Sequence, residues 1–364
     1  MKTIFIAHSW TDVSLNIQTK KVAEKLSEQY RVVFFTQARI GKKEVQINER
    51  LTVKEWPHKR PSKIADVLFF IKNVLVYKPE TIVVHFGATN VTMFIAALLG
   101  VKNRVCWMHT LSGQIFLDVK NETEANAILN RRIKAYKRST NIVVQNSAGY
   151  TDALTNYGIP EKKLKLIYNG LEDPLKQDYT KQSNLEFAYV GRIDFSKGVD
   201  ILIRAFAVVL KQYPQAKLKI AGKGAEENSM KDLCAALGIA NAVNFAGWLS
   251  DYNDIYSFIK DAYCLVVPSR LDNFPTVVLE ALACKTPVIA ANVGGIPDMI
   301  KNEEGGYLFE NENVNELADK MMNMVADQQF WQNQCMLARQ RFLQNFSMQK
   351  HVTEVEHYIS SLNK

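Results

Sequence analysis

Two carboxylates, Asp272 and Glu280, stand eight positions apart in a segment that joins two apolar, strand-like runs. Asp272 lies in a short polar loop, and Glu280 lies in the second turn of a helix predicted to begin at Pro275. Open α/β sheets bind ligands at the carboxyl ends of their strands, and helix N-termini favour phosphate groups. A carboxylate one turn into such a helix suits ribose or sugar hydroxyls. The segment therefore indicates a site for a nucleotide-sugar.

A second segment, residues 190–198, follows a predicted strand and opens a predicted helix. Gly191 allows a close backbone approach, Arg192 offers a planar fork for a diphosphate, and Lys197 adds a compact positive charge. The sequence has neither a Walker A motif nor Gly-x-Gly-x-x-Gly, which disfavours a P-loop kinase and a simple dinucleotide-binding protein. A capped helix start with two solvated cations is the alternative. Two such segments in one half of the chain favour the phosphate loop.

Strand-length apolar runs alternate with helical periods along the chain, which predicts an α/β protein with parallel, doubly wound sheets. The strands predicted in the first half are 3–8, 32–35, 81–85, 105–108, 141–145 and 165–167. Those predicted in the second half are 186–190, 217–221, 243–245, 263–267, 287–290 and 307–309. Residues 313–362 are predicted to be helical. The architecture expected is two Rossmann-like domains facing across a cleft.

The length of 364 residues and the hydrophobic content of 47% are enough for two buried cores. The first domain is expected to span 1–172, with a C-terminal helix at about 346–364 packing back on it. A polar linker is expected at 173–184 and the second domain at 185–345.

The net charge of +8 is unevenly distributed, because residues 1–172 hold 26 of the 45 Lys and Arg residues but 14 of the 37 Asp and Glu residues. Basic residues between Lys42 and Lys78 alternate with aromatic ones such as Trp56, Phe69 and Phe70. This pattern suits contact with an anionic membrane, and it equally suits a solvated helix face over a core stripe. A second basic run, residues 131–138, is predicted to form one positive helix face.

The five cysteines have no metal-binding spacing and lie mostly in apolar segments, so reduced core cysteines in a cytoplasmic protein are expected. A strand pattern follows Lys2 directly, so no leader is expected, and the longest apolar run is too short to span a bilayer. The expected location is cytoplasmic, or peripheral on the inner face of the cell membrane. Nucleic acid is not an expected partner, because the sequence lacks a recognised fold signature and an aromatic stacking platform.

The two chemical segments together resemble the retaining GT-B glycosyltransferases of family 4. The resemblance rests on Gly-Arg-x4-Lys-Gly at 191–198 and on Asp-x7-Glu-Ala-Leu-Ala-Cys-x-Thr-Pro-Val-Ile-Ala at 272–290. Further similar stretches lie at 141–170, 220–224 and 245–248, and the second half is matched more closely than the first. The resemblance implies the GT-B fold and a nucleotide-diphosphate sugar as donor.

The resemblance also implies a role for individual residues. Arg192 and Lys197 would bind the donor diphosphate and stabilise the leaving group, and Asp272 would contact the donor sugar. Glu280 would take the ribose hydroxyls, and His109 would lie near the transferred sugar. The other donor-binding residues implied are Gly191, Asn273, Phe274, Thr276, Gly247 and Trp248. The residues expected in the N-terminal loop, on the acceptor side, are Ser9, Thr11, Ser14 and Asn16.

Two further residues are alternatives to these assignments. His85 ends the strand before the one that precedes His109, and a histidine in either place is also a common structural hydrogen-bonding group. Asp12 would be a base only in an inverting enzyme of similar fold.

The sequence departs from the family pattern at four places. Asp272 is one methylene shorter than the usual Glu. Pro275 replaces a glycine and has no N–H to donate, so backbone contacts would come from Thr276 or the residue after it. Lys285 replaces a glycine after the helix, which costs about 1 kcal/mol if the backbone there is left-handed. The loop at 8–16 lacks the usual Gly-Gly, which leaves its phosphate and acceptor contacts open.

The expected function is a retaining, metal-independent hexosyltransferase. It would move a hexose or N-acetylhexosamine from a nucleotide-diphosphate sugar, expected to be a UDP-sugar, to a hydroxyl of a glycan or lipid-linked acceptor in bacterial surface polysaccharide or lipopolysaccharide assembly. No cofactor or metal is expected, because Asp251 and Asp254 are one residue too far apart for an Asp-x-Asp motif. The alternatives are a nucleotide-sugar epimerase of similar two-domain fold and a non-enzymatic nucleotide-binding or basic surface-binding protein.

Overall fold

The computed structural model describes residues 1–12, 14–59, 61–119, 121–175, 177, 179, 181 and 184–364, and the side chains of residues 14 and 15 also lie outside the description. The chain divides into two compact units. The first unit comprises Met1–Gly170 with Met348–Lys364, and the second comprises Leu171–Ser347. The segment predicted as a linker is counted with the second unit. In that segment, Lys181 donates hydrogen bonds to the Lys260 carbonyl and to the Thr286 hydroxyl.

Within its described residues, the first unit contains eight strands. They are β1 (Thr3–Ala7), β2 (Arg31–Thr36), β3 (Glu44–Asn48), β4 (Leu51–Glu55), β5 (Thr81–His85), β6 (Asn103–Met108), β7 (Asn141–Val144) and β8 (Leu164–Leu166). They form one sheet in the order β3-β4-β2-β1-β5-β6-β7-β8. Every neighbouring pair is parallel except the edge pair β3 and β4. The central strands β1 and β5 are buried along their whole length, as strands covered on both faces are.

Helices cover the two faces of this sheet. They are α1 (Ser14–Leu26), α2 (Ile64–Tyr77), α3 (Thr89–Leu98), α4 (Ser112–Asp118), α5 (Glu122–Arg138) and α6 (Ser147–Thr155). The ends of α5 show why a polar sequence is helical here. The side chain of Asn121 caps the first turn, Glu122 lies in that turn, and Lys137 and Arg138 lie in the last turn. Charges in these positions oppose the helix dipole at both ends.

The second unit is a fully parallel sheet with helices on its faces. Its strands are β9 (Glu186–Val190), β10 (Lys217–Ala221), β11 (Val243–Gly247), β12 (Cys264–Val267), β13 (Val288–Ala291) and β14 (Gly306–Phe309). The strand order is β11-β10-β9-β12-β13-β14. Its helices are α7 (Val199–Gln212), α8 (Glu227–Ala236), α9 (Tyr252–Lys260), α10 (Thr276–Ala283), α11 (Ile296–Met299), α12 (Val314–Ala326) and α13 (Gln328–Asn345). On α7, Leu202, Phe206 and Val209 face the core and are buried.

The last helix, α14 (Met348–Leu362), belongs to the first unit and packs against α1. Its apolar residues Val355 and Ile359 are buried in the core that α1 and the sheet share. The chain end is held by polar contacts as well, because the Thr81 hydroxyl donates to the side-chain oxygen of Asn363 at 2.8 Å.

All twelve predicted strands are present within two residues of their predicted ends. The sequence reading missed the hairpin of β3 and β4. Strand β3 is polar and largely exposed, so it lacks the apolar run on which the other predictions depended.

The aromatic residues suggested for membrane contact lie in the core, so that part of the prediction is wrong. Trp56 is 2% exposed and Phe70 is fully buried. The rings of Trp56 and Phe70 are 5.6 and 5.5 Å from that of Phe35 on β2. The exposed apolar side chains of this region are instead on the outer side of α2, at Ile64, Leu68, Leu75 and Val76.

The basic run at 131–138 also differs from its prediction as one positive face. Arg131, Lys134 and Arg138 are exposed on α5, whereas Arg132 is only partly exposed. The Nη1 atom of Arg132 is buried, and Tyr136, one turn further along, is buried as well. The spacing of four residues places Arg132 and Tyr136 on the inner side of the helix.

Candidate functional site

Lys197 and Asp272 form an ion pair at the carboxyl edge of the second sheet. Lys197 lies in the loop between β9 and α7, and Asp272 lies in the loop between β12 and α10. Because β9 and β12 are neighbouring parallel strands, these two loops leave the same edge. The Lys197 Nζ is 2.5 Å from an Asp272 carboxylate oxygen, and the Ser269 hydroxyl is 3.4 Å from the same oxygen. The loop at 190–198 and the segment that begins at Asp272 are thus joined by a direct ion pair.

Arg192 lies in the β9–α7 loop with its side chain 59% exposed. Its Nη1 is 3.2 Å from a carboxylate oxygen of Asp194. The backbone of the same residue is fixed, because its carbonyl accepts a hydrogen bond from the Tyr189 hydroxyl at 2.5 Å. A guanidinium on a fixed backbone with exposed nitrogens is suited to a diphosphate ligand.

Glycines let the β9–α7 loop and the loop after β10 come into contact. A Cβ on Gly222 would lie 1.8 Å from the Gly191 carbonyl oxygen, and one on Gly224 would lie 1.9 Å from that of Ile193. The backbone hydrogen bond from Ile193 N–H to the Lys223 carbonyl, at 3.0 Å, joins the two loops. The Gly-x-Gly turn at 222–224 is therefore a close backbone contact that any side chain would prevent.

Gly198 holds the start of α7 beside the β12–α10 loop. Its φ is +65°, and a Cβ there would lie 2.1 Å from the Pro268 carbonyl oxygen. Both the left-handed backbone and the contact require glycine. This residue therefore sets the distance between the loops that carry Lys197 and Asp272.

Glu280 lies on α10 and is 5% exposed. Burial raises the pKa of its carboxyl to about 7, and a hydrogen bond with the Thr276 side chain opposes that rise. A buried carboxyl of this kind is stabilised as the anion when hydroxyl groups donate hydrogen bonds to it. The vicinal hydroxyls of a ribose would supply such donors.

The sequence departures around α10 have clear structural consequences. Pro275 is the N-cap of α10 with extended φ and ψ, and its carbonyl accepts a hydrogen bond from Val278 N–H at 3.1 Å. Lys285 follows the helix with φ of +52°, so the lysine occupies the left-handed position that usually takes glycine. Phe274 is 7% exposed and contacts the ring of Phe346 edge-on at 6.0 Å, while Asn273 is partly buried.

Gly247 and Trp248 lie at the end of β11, on the same edge of the second sheet. Gly247 has φ of +73°, and its carbonyl accepts a hydrogen bond from Gly222 N–H at 2.8 Å. Trp248 is 60% exposed, which leaves its ring available for stacking with a planar ligand.

Three histidines form a cluster at the carboxyl edge of the first sheet. His85 Nδ1 is 2.9 Å from His109 Nε2, and the rings of His8 and His85 stack at 4.4 Å. The side-chain amide of Gln145 is 2.6 Å from His109 Nδ1. Burial holds the pKa of all three histidines below the usual value, that of His8 at about 3. His109 is therefore a neutral imidazole with both nitrogens bonded, and His85 and Gln145 orient it.

The N-terminal loop brings its predicted polar residues together only in part. The Asn16 side chain donates a hydrogen bond to the Thr11 hydroxyl at 2.5 Å, and Ser9 is partly buried. Asp12 is exposed and pairs with Lys20 at 2.6 Å. Ser14 begins α1, but its side chain lies outside the described residues.

The first unit also contains a pocket that was not predicted from the sequence. A pocket of about 200 Å³ lies beside His109 and is lined by Arg132 of α5 and Thr89 of α3, among others. The sequence signal that could have found it is the four-residue spacing of Arg132 and Tyr136, which separates this arginine from the exposed cations of its helix.

Among the described residues, no group of three or more His, Cys, Asp and Glu side chains lies close enough to hold a metal ion. The five cysteines are buried and unpaired with one another. None of the helices in the described part of the chain is long and apolar enough to cross a membrane.

Two family sequence models match the chain, one in each half. Residues 15–173 match Glycosyltransferase Family 4, and residues 173–341 match Glycosyl transferases group 1.

Among curated proteins, an uncharacterised glycosyltransferase of Methanocaldococcus jannaschii is 32% identical over 47% of this chain and 47% of its own length. Glycogen synthase of Mycobacterium tuberculosis is 28% identical over 62% and 56%. The capsular polysaccharide biosynthesis glycosyltransferase CapM of Staphylococcus aureus is 28% identical over 60% and 56%. The matched part thus spans about half the length of these relatives.

Solved structures are similar over the whole chain. Sucrose-phosphate synthase of Thermosynechococcus elongatus has a TM-score of 0.80 at 20% identity, covering 100% of this chain and 99% of the other. Anabaena HepE in complex with UDP has a TM-score of 0.78 at 18% identity, covering 99% and 100%. With two parallel-sheet α/β units, the protein has the GT-B fold of glycosyltransferases. The two family models that match its halves are both models of glycosyltransferases.

Proposed function

We propose that the chain is a retaining glycosyltransferase that moves a hexose or N-acetylhexosamine from a UDP-sugar to a hydroxyl of a glycan or lipid-linked acceptor. The reaction is proposed to need no metal ion and to serve the assembly of bacterial surface polysaccharide or lipopolysaccharide. The observation that carries the proposal is the Lys197–Asp272 pair on loops from adjacent strands, with Arg192 and Glu280 on the same edge.

The charges of this edge match those that develop during transfer. Cleavage of the bond between the anomeric carbon and phosphate leaves negative charge on the diphosphate and positive charge on the sugar. Arg192 and Lys197 are cations held on a fixed loop, so they would stabilise the departing diphosphate without reorganising. Asp272, which pairs with Lys197, would accept hydrogen bonds from hydroxyl groups of the donor sugar.

Retention is proposed to occur by front-face substitution, in which the acceptor hydroxyl attacks from the side of the leaving group. An oxygen of the donor phosphate then takes the acceptor proton as the new glycosidic bond forms. Asp272 supports this choice over a covalent route, because one of its oxygens already accepts hydrogen bonds from Lys197 and Ser269. His109 would act near the transferred sugar as a neutral hydrogen-bonding group.

The choice of a uridine nucleotide is supported by HepE, which has a similar fold and was solved with UDP and with UDP-glucose. Glu280 would hold the ribose hydroxyls, and the exposed ring of Trp248 would stack on the base. Two relatives, glycogen synthase and CapM, are named for polysaccharide synthesis, which supports a glycan acceptor.

A membrane-facing surface is proposed on α2 and α3. We define the α2–α3 apolar patch by its exposed residues Ile64, Leu68, Leu75, Val76, Phe94 and Leu98. The exposed Lys72 lies on α2 among these residues, and the Arg138 guanidinium is 5.4 Å from the centre of the Phe94 ring. Apolar side chains with cations at their border suit the interface of an anionic bilayer.

The donor proposal is tested by thermal unfolding with UDP, GDP, ADP and CMP, each with and without EDTA. A ligand that binds only the folded state raises Tm by mass action. The expected result is a rise with UDP that EDTA leaves unchanged and that Arg192→Ala and Glu280→Ala abolish. Arg204→Ala, which changes an exposed residue on α7, is the control that should keep the rise in Tm with UDP. A folded protein that responds to none of the nucleotides would contradict the proposal.

The membrane proposal is tested by co-sedimentation with phosphatidylcholine vesicles, with and without phosphatidylglycerol. Binding is expected only to the anionic vesicles at low salt, and Leu68→Ser with Leu75→Ser should weaken it. Ile47→Ser, which changes an exposed apolar residue on β3 outside the patch, should not. Equal binding by all variants would show that the α2–α3 apolar patch does not mediate binding. The absence of binding to anionic vesicles at low salt would contradict a membrane-facing surface on α2 and α3.

A further inference from the structure

Arg132 is a cation that the proposed transfer reaction does not use. It lines the pocket of about 200 Å³ whose other polar lining residues are Thr89, Asn90, His109, Thr110 and Tyr136. None of the ion pairs between described residues includes Arg132. Its Nη1 is also buried without a hydrogen-bond partner among those residues. A guanidinium nitrogen that is buried without a hydrogen-bond partner is costly to the fold unless a ligand supplies one.

Two phenols, Tyr136 and Tyr157, lie near Arg132 on the protein side. Burial raises the pKa of Tyr157, and the positive charge of Arg132 together with a hydrogen bond from its side chain opposes that rise. Asp152 also acts on Tyr157, but its oxygens already accept hydrogen bonds from Ser112 N–H, at 2.7 Å, and from Asn156, at 2.6 Å. The charge of Arg132 is therefore not committed to that carboxylate.

The start of α3, which lines the same pocket, adds a second positive contribution. Thr89 and Asn90 are the first two residues of α3, a helix of ten residues whose N-terminus carries a partial positive charge. The described lining contains no Asp or Glu. Phe86, with φ of +49°, closes another side with its ring stacked on His109 at 4.0 Å. A strained backbone at such a place is typical of functional sites.

We propose that this pocket binds an oxyanion, a phosphate or carboxylate group, that is part of the acceptor substrate. The inference rests on the proposed function, because it presupposes an acceptor. His109 lines the pocket and is also the histidine predicted to lie near the transferred sugar. The anionic group would thus sit next to the hydroxyl that receives the sugar. This narrows the acceptor to molecules with a phosphate or carboxylate close to the reacting hydroxyl.

The binding test is calorimetric titration of the full chain with inorganic phosphate, and separately with acetate, at constant ionic strength. Arg132→Gln should weaken the binding of the preferred anion by at least about tenfold, the usual loss for a charge-assisted hydrogen bond. Arg131→Gln is the matched control, because it removes an exposed arginine from the adjacent position of α5. It should change the affinity less than about twofold. Equal losses in the two variants would overturn the proposal, since phosphate bound elsewhere is affected equally by both.

Asn90→Asp tests the pocket without touching Arg132. The change is nearly isosteric, and a carboxylate in the first turn of α3 is favourable for the helix. It should weaken anion binding several-fold by repulsion, even if Arg132→Gln does not fold. Unchanged phosphate and acetate affinities in Asn90→Asp would contradict a pocket that binds anions.

UDP separates this inference from the donor proposal. Saturation with UDP should leave the Arg132-dependent anion affinity in place, and competition between UDP and phosphate for it would overturn an acceptor site. If UDP fails to bind while Arg132→Gln still lowers the anion affinity, the anion pocket stands and the donor proposal fails. If UDP binds and no variant of the pocket alters anion binding, only the present inference fails.

Discussion

The Nζ atom of Lys197 lies 2.5 Å from a carboxylate oxygen of Asp272, across two loops that are 75 residues apart in the chain. Parallel pairing of β9 with β12 makes this contact, because it brings the loops after both strands to one edge. The pair fixes the cation that is proposed to face the leaving diphosphate. It also fixes the carboxylate that is proposed to contact the donor sugar.

Lys197→Ala should reduce kcat by about 10²–10³-fold, as loss of one preorganised group that stabilises transition-state charge does. Asp272→Asn keeps the size of the side chain but weakens the pair, so its main effect is expected on KM for the sugar donor. Steady-state kinetics with the nucleotide-sugar identified by the thermal test would measure both. Lys223→Ala, an exposed lysine in the loop after β10, is the control. A larger loss in Lys223→Ala than in Lys197→Ala would refute the assignment.

Glu280 should lower the stability of the protein at neutral pH while it supports nucleotide binding. Its pKa is raised to about 7 in the folded state, above the value in the unfolded chain. The folded state therefore binds the extra proton, and stability falls as pH rises from about 4.5 to 7. Glu280→Gln removes this dependence and should stabilise the protein by up to about 3 kcal/mol near pH 7.5.

The same substitution should weaken UDP binding, because the ribose hydroxyls lose an anionic acceptor. UDP affinity of the unmodified protein should fall as pH drops through about 7, where Glu280 becomes protonated. Denaturant unfolding and UDP titration across this pH range would measure the two effects. A variant that loses stability and keeps its UDP affinity would show that Glu280 has a structural role instead.

Much of the fold was predictable because buried parallel strands are continuous apolar runs. Val32, Val83 and Ile289 belong to such runs, and all are fully or almost fully buried. The hairpin of β3 and β4 was not predictable in this way, since residues such as Glu44 and Gln46 on β3 face solvent. Its pairing depends on the edge that β4 presents, which the local sequence does not show.

The site in the second unit was more accessible to sequence reasoning than that in the first. Lys197 and Asp272 lie in short loops directly after strands, so strand order alone brings them together. In the first unit, His85 and Gln145 contact His109 from the ends of two different strands, and Arg132 of α5 lines the pocket beside it. The spacing of Arg132 and Tyr136 indicates the inner side of α5, but no spacing in the chain indicates the contacts of His85 and Gln145 with His109.

Gly198 and Gly238 allow a controlled test of the loop geometry, because their φ values are +65° and +70°. A Cβ on Gly238 would have nothing within 4 Å, whereas one on Gly198 would lie 2.1 Å from the Pro268 carbonyl oxygen. Gly238→Ala should therefore cost only the left-handed backbone term of about 1 kcal/mol. Gly198→Ala should cost clearly more and should also weaken UDP binding, since the Lys197 and Asp272 loops must move apart. Equal losses of stability would show that the contact with Pro268 relaxes without cost.

Acid should destabilise the first unit through its buried histidines. Burial lowers the pKa of His8 to about 3 and that of His351 to about 4, and it holds those of His85 and His109 well below the usual value. The unfolded chain then binds more protons, so stability is lost as pH falls below about 6.5. Each histidine should contribute about 1 kcal/mol of this loss by pH 5.5.

His8→Asn keeps a side-chain nitrogen near the Thr19 hydroxyl, which His8 Nδ1 meets at 2.8 Å, but it cannot take up the proton. The variant should thus lose less Tm than the unmodified protein between pH 7.5 and 5.5. His357→Asn, which replaces an exposed histidine of α14, should follow the unmodified protein. Thermal unfolding at both pH values measures the difference, and identical slopes for His8→Asn and His357→Asn would exclude His8 as a source of the acid sensitivity. The opposite sign at Glu280 means that mild acid should weaken the first unit while it strengthens the second.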